Sequence, residues 1–296
     1  MFKRIALFVA TNLAVIVLLT SVCHVLGIDQ WAAQRGMGIG GLIVFASVFG
    51  MGGAFVSLAI SKWMAKMSTG AKVITEPRNE SERWLLETVR RHAEKAGIGM
   101  PEVAVYDAPE MNAFATGMSR NNALVAVSTG LLQQMDREQV SAVLGHEIGH
   151  VANGDMVTLT LIQGVLNTLV IVLARVVGRV VDSWLSGGRD RDGEGGMGYF
   201  VVVMVLQIVF GLFASIIVMW FSRWREFRAD AAGANLAGRA SMISALQRLS
   251  ANHGDTTLPQ TIQAFGISGH LATGLKRLFM SHPPIEERIA ALQNAR

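Results

Sequence analysis

The sequence predicts an α-helical membrane protein, mainly α, with about four transmembrane helices and one α+β part that meets water. Three observations lead there. Hydrophobic residues make up 51% of the 296 residues and charged residues 16%, with a mean hydropathy of +0.39; a soluble domain would carry ~25% charged residues. Several apolar runs are long enough to cross a bilayer, and they leave one long polar stretch between them. Within that stretch, Gly145-His146-Glu147-Ile148-Gly149-His150 matches H-E-x-x-H, a metal-binding pattern.

The net charge of +4 and pI near 9.6 come from scattered cations, many beside apolar runs. They read as membrane flanks, with no nucleic-acid face. The single cysteine, Cys23, lies inside an apolar run. It excludes an intramolecular disulfide and reads as a small buried hydrophobe.

In chain order, Lys3-Arg4 precede the apolar run Ile5 to Leu26. At 1.5 Å per residue it can cross a ~30 Å hydrocarbon core. It exceeds a signal-peptide core and no A-x-A site follows, so it reads as a retained helix. Gly36 to Ile60 is a second span, with Gly36/Gly40 and Gly50/Ala54 at small-xxx-small spacing. Lys62, Lys66 and Lys72 follow it; cations outside both ends of this hairpin put its N-terminus and its exit in the cytoplasm.

From Val73 to Asp155 the pattern is that of a soluble α+β unit. Asn79 and Glu82 predict a helix start and Gly97 its end. His92, on that helix, reads as a packed structural histidine. Val103 to Tyr106 predicts a strand. Asn112 to Thr116 and Leu124 to Ser128 predict a β-hairpin around Gly117 to Asn122. Val157 to Ala174 is apolar but interrupted by Gln163 and Asn167, and so is the weakest span. Gly187 to Gly198 is a glycine- and charge-rich loop. Tyr199 to Phe221 is again a clear span. Helix-forming segments follow it.

The H-E-x-x-H stretch carries the chemistry. Two histidines four residues apart on a helix fall on one face, ~40° apart around the axis, and can hold one zinc ion together. Asp136 and Gln139 predict the helix's capping box, and Asn153-Gly154 its stop. A catalytic zinc needs a third protein ligand and an open position. Just past the last span lies Ser222-Arg223-Trp224-Arg225-Glu226-Phe227-Arg228-Ala229-Asp230. Glu226 and Asp230, at i and i+4, share a face. Glu226 would serve as ligand and Asp230 would accept the second N–H of a ligating histidine. The competing reading pairs both acids with Arg223, Arg225 and Arg228 on a solvated face.

Together with Asn112-Ala113-Phe114-Ala115 and Ser281-His282-Pro283-Pro284-Ile285-Glu286-Glu287-Arg288, these motifs resemble the HtpX-type membrane metallopeptidases and their CaaX-protease relatives. The resemblance covers nearly the whole chain. It implies a zincin-like metallopeptidase domain facing the cytoplasm, one Zn2+ per chain, and removal of misfolded or damaged inner-membrane proteins in quality control and stress response. It carries Glu226 over as third ligand, places Asn112 on the strand lining the substrate cleft, and sets His282 and Arg288 facing the metal site. Glu147 would be the general base and His282 the donor to the oxyanion; by its residues alone His282 reads rather as a capping or packing histidine. Asn112, Phe114 and Arg288 would contact substrate; Arg288 could instead brace the site, and an ordinary surface arginine fits the sequence equally well. His24, His253 and His270 are assigned no chemistry.

For Glu226 to meet His146 and His150 on one side of a bilayer, the chain between them must cross an even number of times. That makes the Val157 segment a membrane or re-entrant helix. The expected organisation is a transmembrane hairpin (1–66), a first cytoplasmic peptidase part (67–156), a second hairpin (157–221) and a second cytoplasmic part (222–296). The partners are the bilayer and membrane-protein or unfolded polypeptide substrates. Two other classes fit less of the chain. A silent scaffold with a structural zinc would be indifferent to Glu147→Gln. A transporter would need Arg175, Arg179 and Asp182 as intramembrane charges.

Overall fold

The computed structural model describes residues 39–185, 197–252 and 280–295. The first predicted span, Cys23 and His24, the loop before Gly198, and His253 and His270 lie outside them. The described chain contains α1 (Ile39–Thr69), β1 (Lys72–Val73), α2 (Glu80–Ala96), β2 (Glu102–Tyr106), β3 (Ala113–Ser119), β4 (Asn122–Ser128), α3 (Thr129–Gln134), α4 (Arg137–Asn153), α5 (Asp155–Leu185), α6 (Met197–Ala237), α7 (Arg239–Asn252) and α8 (Ile285–Asn294). Its described residues fall into two compact units. One takes the chain up to Ser57 with Thr160–Val218, the other Leu58–Leu159 with the chain from Met219 onward.

In the first unit, parts of α1, α5 and α6 are the three described helices long and apolar enough to cross a membrane. Their surface is inverted relative to a soluble protein. Val48, Phe49, Phe200, Ile208 and Phe213 are each about 60% exposed or more, the surface expected of helices that face lipid. Small residues bring α1 and α5 together: Gly50 lies against Thr168, and Gly164 against Met51 and Ala54. Of the two predicted spacings, Gly50/Ala54 therefore makes a contact, whereas among the described residues nothing lies within 4 Å of where a Gly40 Cβ would be. The doubtful segment around Val157 is a continuous 31-residue helix. Its polar pair satisfies itself, Gln163 Nε2 donating to Asn167 Oδ1 at 3.0 Å one turn on, which reduces the cost of amides in an apolar helix.

In the second unit a four-stranded sheet of order β1-β2-β4-β3 carries the helices. β2 and β4 run parallel, with Val103 opposite Val125, while β1 and β3 pair antiparallel at the two edges. The predicted hairpin turn contracts to Arg120-Asn121, because both strands extend into it with a bulge between Gly117 and Ser119. Alternation along the strands makes two faces. Val103, Val125 and Val127 join Leu144, Ile148 and Val151 of α4 in the main core, with Leu85 and Val89 of α2 and Leu246 of α7. Ala104, Tyr106, Leu124 and Ala126 form the other face.

Local signals end these helices where expected. Asn79 caps α2 by accepting from Glu82 N, although the Glu82 carboxylate reaches Arg78 N, one residue beyond a true capping box. Gly97 takes the left-handed conformation that closes α2. The core end of His92 is structural: its Nε2 lies 3.1 Å from the Ser141 carbonyl and 3.0 Å from Ser141 Oγ. Burial lowers its pKa.

Candidate metal centre

Helix α4 begins with the full Asp136–Gln139 capping box and ends at Gly154, with φ 68°. From Val140 to Val151 it is buried except at Ser141 and at Glu147, the partly exposed residue of the motif. His146 and His150 lie on one face, as the helical period requires, with their Nε2 atoms 3.1 Å apart. Glu226, fully buried on α6, completes the group: Oε1 is 3.2 Å from His150 Nε2 and Oε2 is 3.5 Å from His146 Nε2. One ligand atom from each of the three lies within 4.8 Å of the others.

Glycine allows the two helices to approach this closely. A Cβ on Gly149 would stand 2.7 Å from Ala232 Cβ, and one on Gly233 would stand 3.1 Å from His146 N. Gly149→Ala is therefore expected to cost about 1–3 kcal/mol through overpacking. It should also weaken metal binding, since the displaced turn carries both histidines. Thermal denaturation in detergent together with zinc titration checks this.

The chemistry of the donors fits a divalent cation. A carboxylate can only accept, so Asp230 Oδ1, 3.0 Å from His146 Nδ1, and Asp155 Oδ2, 2.7 Å from His150 Nδ1, place a proton on each Nδ1. Both Nε2 atoms then turn lone pairs toward each other and toward Glu226. Glu226 Oε1 is buried without a hydrogen-bond partner among the described residues, while Oε2 accepts from His282 Nδ1 at 2.7 Å. Two imidazole nitrogens and one unpartnered oxygen converging on one point suit zinc with a position left open. Burial opposes charge on His146, but Asp230 and Glu226 outweigh it and raise its pKa to about 9. Burial likewise opposes charge on His150, and Asp155 and Glu226 raise it. In the metal-free protein a proton thus competes with the metal for this cluster, so metal entry releases protons.

Asp230 does stand behind His146, as its spacing from Glu226 suggested. Arg288, 7% exposed, grips it with both edges: Nε donates to Oδ2 at 2.8 Å and Nη2 to Oδ1 at 2.6 Å. Arg288 is therefore no solvated surface residue: its guanidinium is spent on the carboxylate beside His146. Of the two residues expected on the cleft strand, Phe114 packs its ring 5.7 Å from Tyr106, on the sheet face away from α4. Asn112 precedes β3, its N–H donating to Ser128 Oγ and its carbonyl accepting from Ser128 N. β3 itself is an edge strand. Asp155 was not foreseen. Its signal was a glycine stop followed at once by an acid, five residues after His150.

Fold and site together define a membrane protein with a peptidase-type metal centre. A model of peptidase family M48 matches residues 79–296. The chain is 66% identical over 295 residues to Protease HtpX of Xanthomonas euvesicatoria pv. vesicatoria (strain 85-10), covering 100% of this chain and 98% of that one. It is also 66% identical over 293 residues to Protease HtpX of Stenotrophomonas maltophilia (strain R551-3), covering 99% and 98%. The crystal structure of S. mikatae Ste24p superposes with a TM-score of 0.64 over 97% of this chain and 67% of that one; at 17% identity it speaks for the fold. The chain belongs to peptidase family M48.

Proposed function

We propose that this membrane metallopeptidase is a zinc-dependent endopeptidase of the bacterial inner membrane, with its N-terminus and active site in the cytoplasm. Its substrates are misfolded or damaged membrane proteins, cut as part of quality control under stress. The observation that carries the reading is the convergence of His146, His150 and Glu226, with Glu147 beside them. The four-segment organisation expected from the sequence is retained as part of this reading.

A zinc ion held by His146, His150 and Glu226 would polarise the scissile carbonyl and lower the pKa of the attacking water toward ~7. Glu147 takes the proton of that water and delivers it to the leaving nitrogen. His282, with Nδ1 anchored on Glu226, offers its other nitrogen to the developing oxyanion. Asp230 and Arg288 hold His146 in its tautomer. The free edge of β3 aligns an extended substrate through its main chain, an arrangement that gives affinity with little sequence selectivity. In this role Asn112 and Phe114 act by backbone and position.

Helix α6 runs unbroken from Met197 to Ala237. Glu226 follows Phe221 by five residues, about 7.5 Å along the axis. Exposed Trp220 and Trp224, at 61% and 48%, support a headgroup-level position for this part of the helix, because tryptophan favours that layer. Arg228 stacks on Trp224 at 5.1 Å. Membrane-anchored chains should accordingly be cut in preference to soluble ones. In reconstituted vesicles, zinc-dependent cleavage of an anchored substrate is expected to exceed that of its soluble unfolded counterpart. Equal rates would sink the membrane-substrate reading, and cleavage that survives chelation would sink the zinc reading.

A further inference from the structure

The two metal-facing histidines are backed by carboxylates in different circumstances. Behind His146, Asp230 shares its charge with Arg288 through two short hydrogen bonds. Behind His150 stands Asp155, 2% exposed, with Oδ2 2.7 Å from Nδ1. Among the described residues, no lysine or arginine pairs with it. The contact depends on a local device. Gly154 takes φ 68° and closes α4 by donating to the His150 and Val151 carbonyls. The chain then turns, and the first residue of α5 falls beside a ring five positions back. At that place the free N–H groups of the α5 N-terminus favour the carboxylate's charge.

We infer that Asp155 is the positioning residue for His150, and that the two histidines are unequal donors because of it. Asp155 holds the proton on Nδ1, aims Nε2 at the metal, and leaves its whole charge behind that ring. A carboxylate behind a ligating imidazole increases the basicity of the ligand. The charge behind His146 is partly cancelled, so His150 is the stronger of the two nitrogen donors. The inference rests on the zinc reading of the site and adds to it a residue that belongs to neither H-E-x-x-H nor the Glu226 segment.

The test uses the full chain in detergent and reads metal binding, without needing a substrate. Zinc dissociation constants are measured by competition with a chromophoric chelator for wild type, Asp155→Asn and Asp155→Ala. Asp136→Ala serves as a control that weakens the α4 cap without touching the metal. Asp155→Ala is expected to bind zinc about 10–100-fold more weakly. Asp155→Asn should fall between it and wild type, because an amide oxygen still accepts from Nδ1 but brings no charge. Asp136→Ala should lose thermal stability and keep its zinc affinity. The visible spectrum of the cobalt-substituted protein should shift in both Asp155 variants and stay put in the control.

Zinc affinity and cobalt spectra at wild-type values in the Asp155 variants would overturn the inference while leaving the zinc site standing. A wild-type chain that binds no zinc would remove both. If Asp155→Ala does not fold, the near-isosteric Asp155→Asn decides the matter by the same two readings.

Discussion

Glu147→Gln is expected to lower peptide-bond hydrolysis by about 10²–10⁴-fold, the range that a positioned general base contributes. Zinc content and fold should stay at wild-type levels. The separation follows from where the residue sits. His146 and His150 are buried with their Nδ1 atoms tied to carboxylates, whereas Glu147, between them in sequence, is partly exposed and belongs to no ligand group. The amide keeps the size of the side chain but cannot accept the water's proton. The measurement is cleavage of a membrane-protein substrate by purified wild type and variant, with zinc quantified in both. Purification under chelation guards the active form against cutting itself. Equal rates in the two proteins would favour the scaffold, in which zinc only staples the fold.

Arg288→Leu should be the most destabilising single change at the centre, by about 3–5 kcal/mol, the cost of leaving one charge of a buried pair uncompensated. Arg288 joins α8 to α6 through Asp230, with both groups almost inaccessible to water. Its removal strands the carboxylate that orients His146. Metal affinity should therefore fall along with stability, as read by denaturation and zinc titration in detergent. Arg288→Lys should recover only part of the loss, since an ammonium cannot span both carboxylate oxygens. Adding Asp230→Leu to Arg288→Leu should cost less than the sum of the single changes, because the pair fails as a unit. An Arg288→Leu protein as stable as wild type would remove Arg288 from the bracing role.

Much of the site could be read from local pattern, and the departures have physical causes. The capping box at Asp136 and the stop at Gly154 are short-range chemistry, so α4 begins and ends where the residues say. The hairpin was legible too, but its turn was overestimated because strand pairing extended through Gly117 to Ser119. The face that Phe114 takes was not legible, for a different reason. An edge strand has two faces, and the one Phe114 takes follows from the register with β4, where it lies opposite Ala126. Arg288 admitted three readings, because a cation in that segment can serve a substrate, a neighbour or only the solvent. Its burial against Asp230 comes with the approach of α8, which no local pattern shows.

The spans and the pairing of His146 with His150 were determined by the sequence alone, because each depends on a repeat distance within one helix: length against bilayer thickness, and four residues against 3.6 per turn. The tertiary structure alone decided that Asp230 and Arg288 stand behind His146. It decided as well how near α6 comes to α4, through glycines whose missing side chains have meaning only once both helices are in place. Contacts between residues scores of positions apart are set by packing, which no local pattern records.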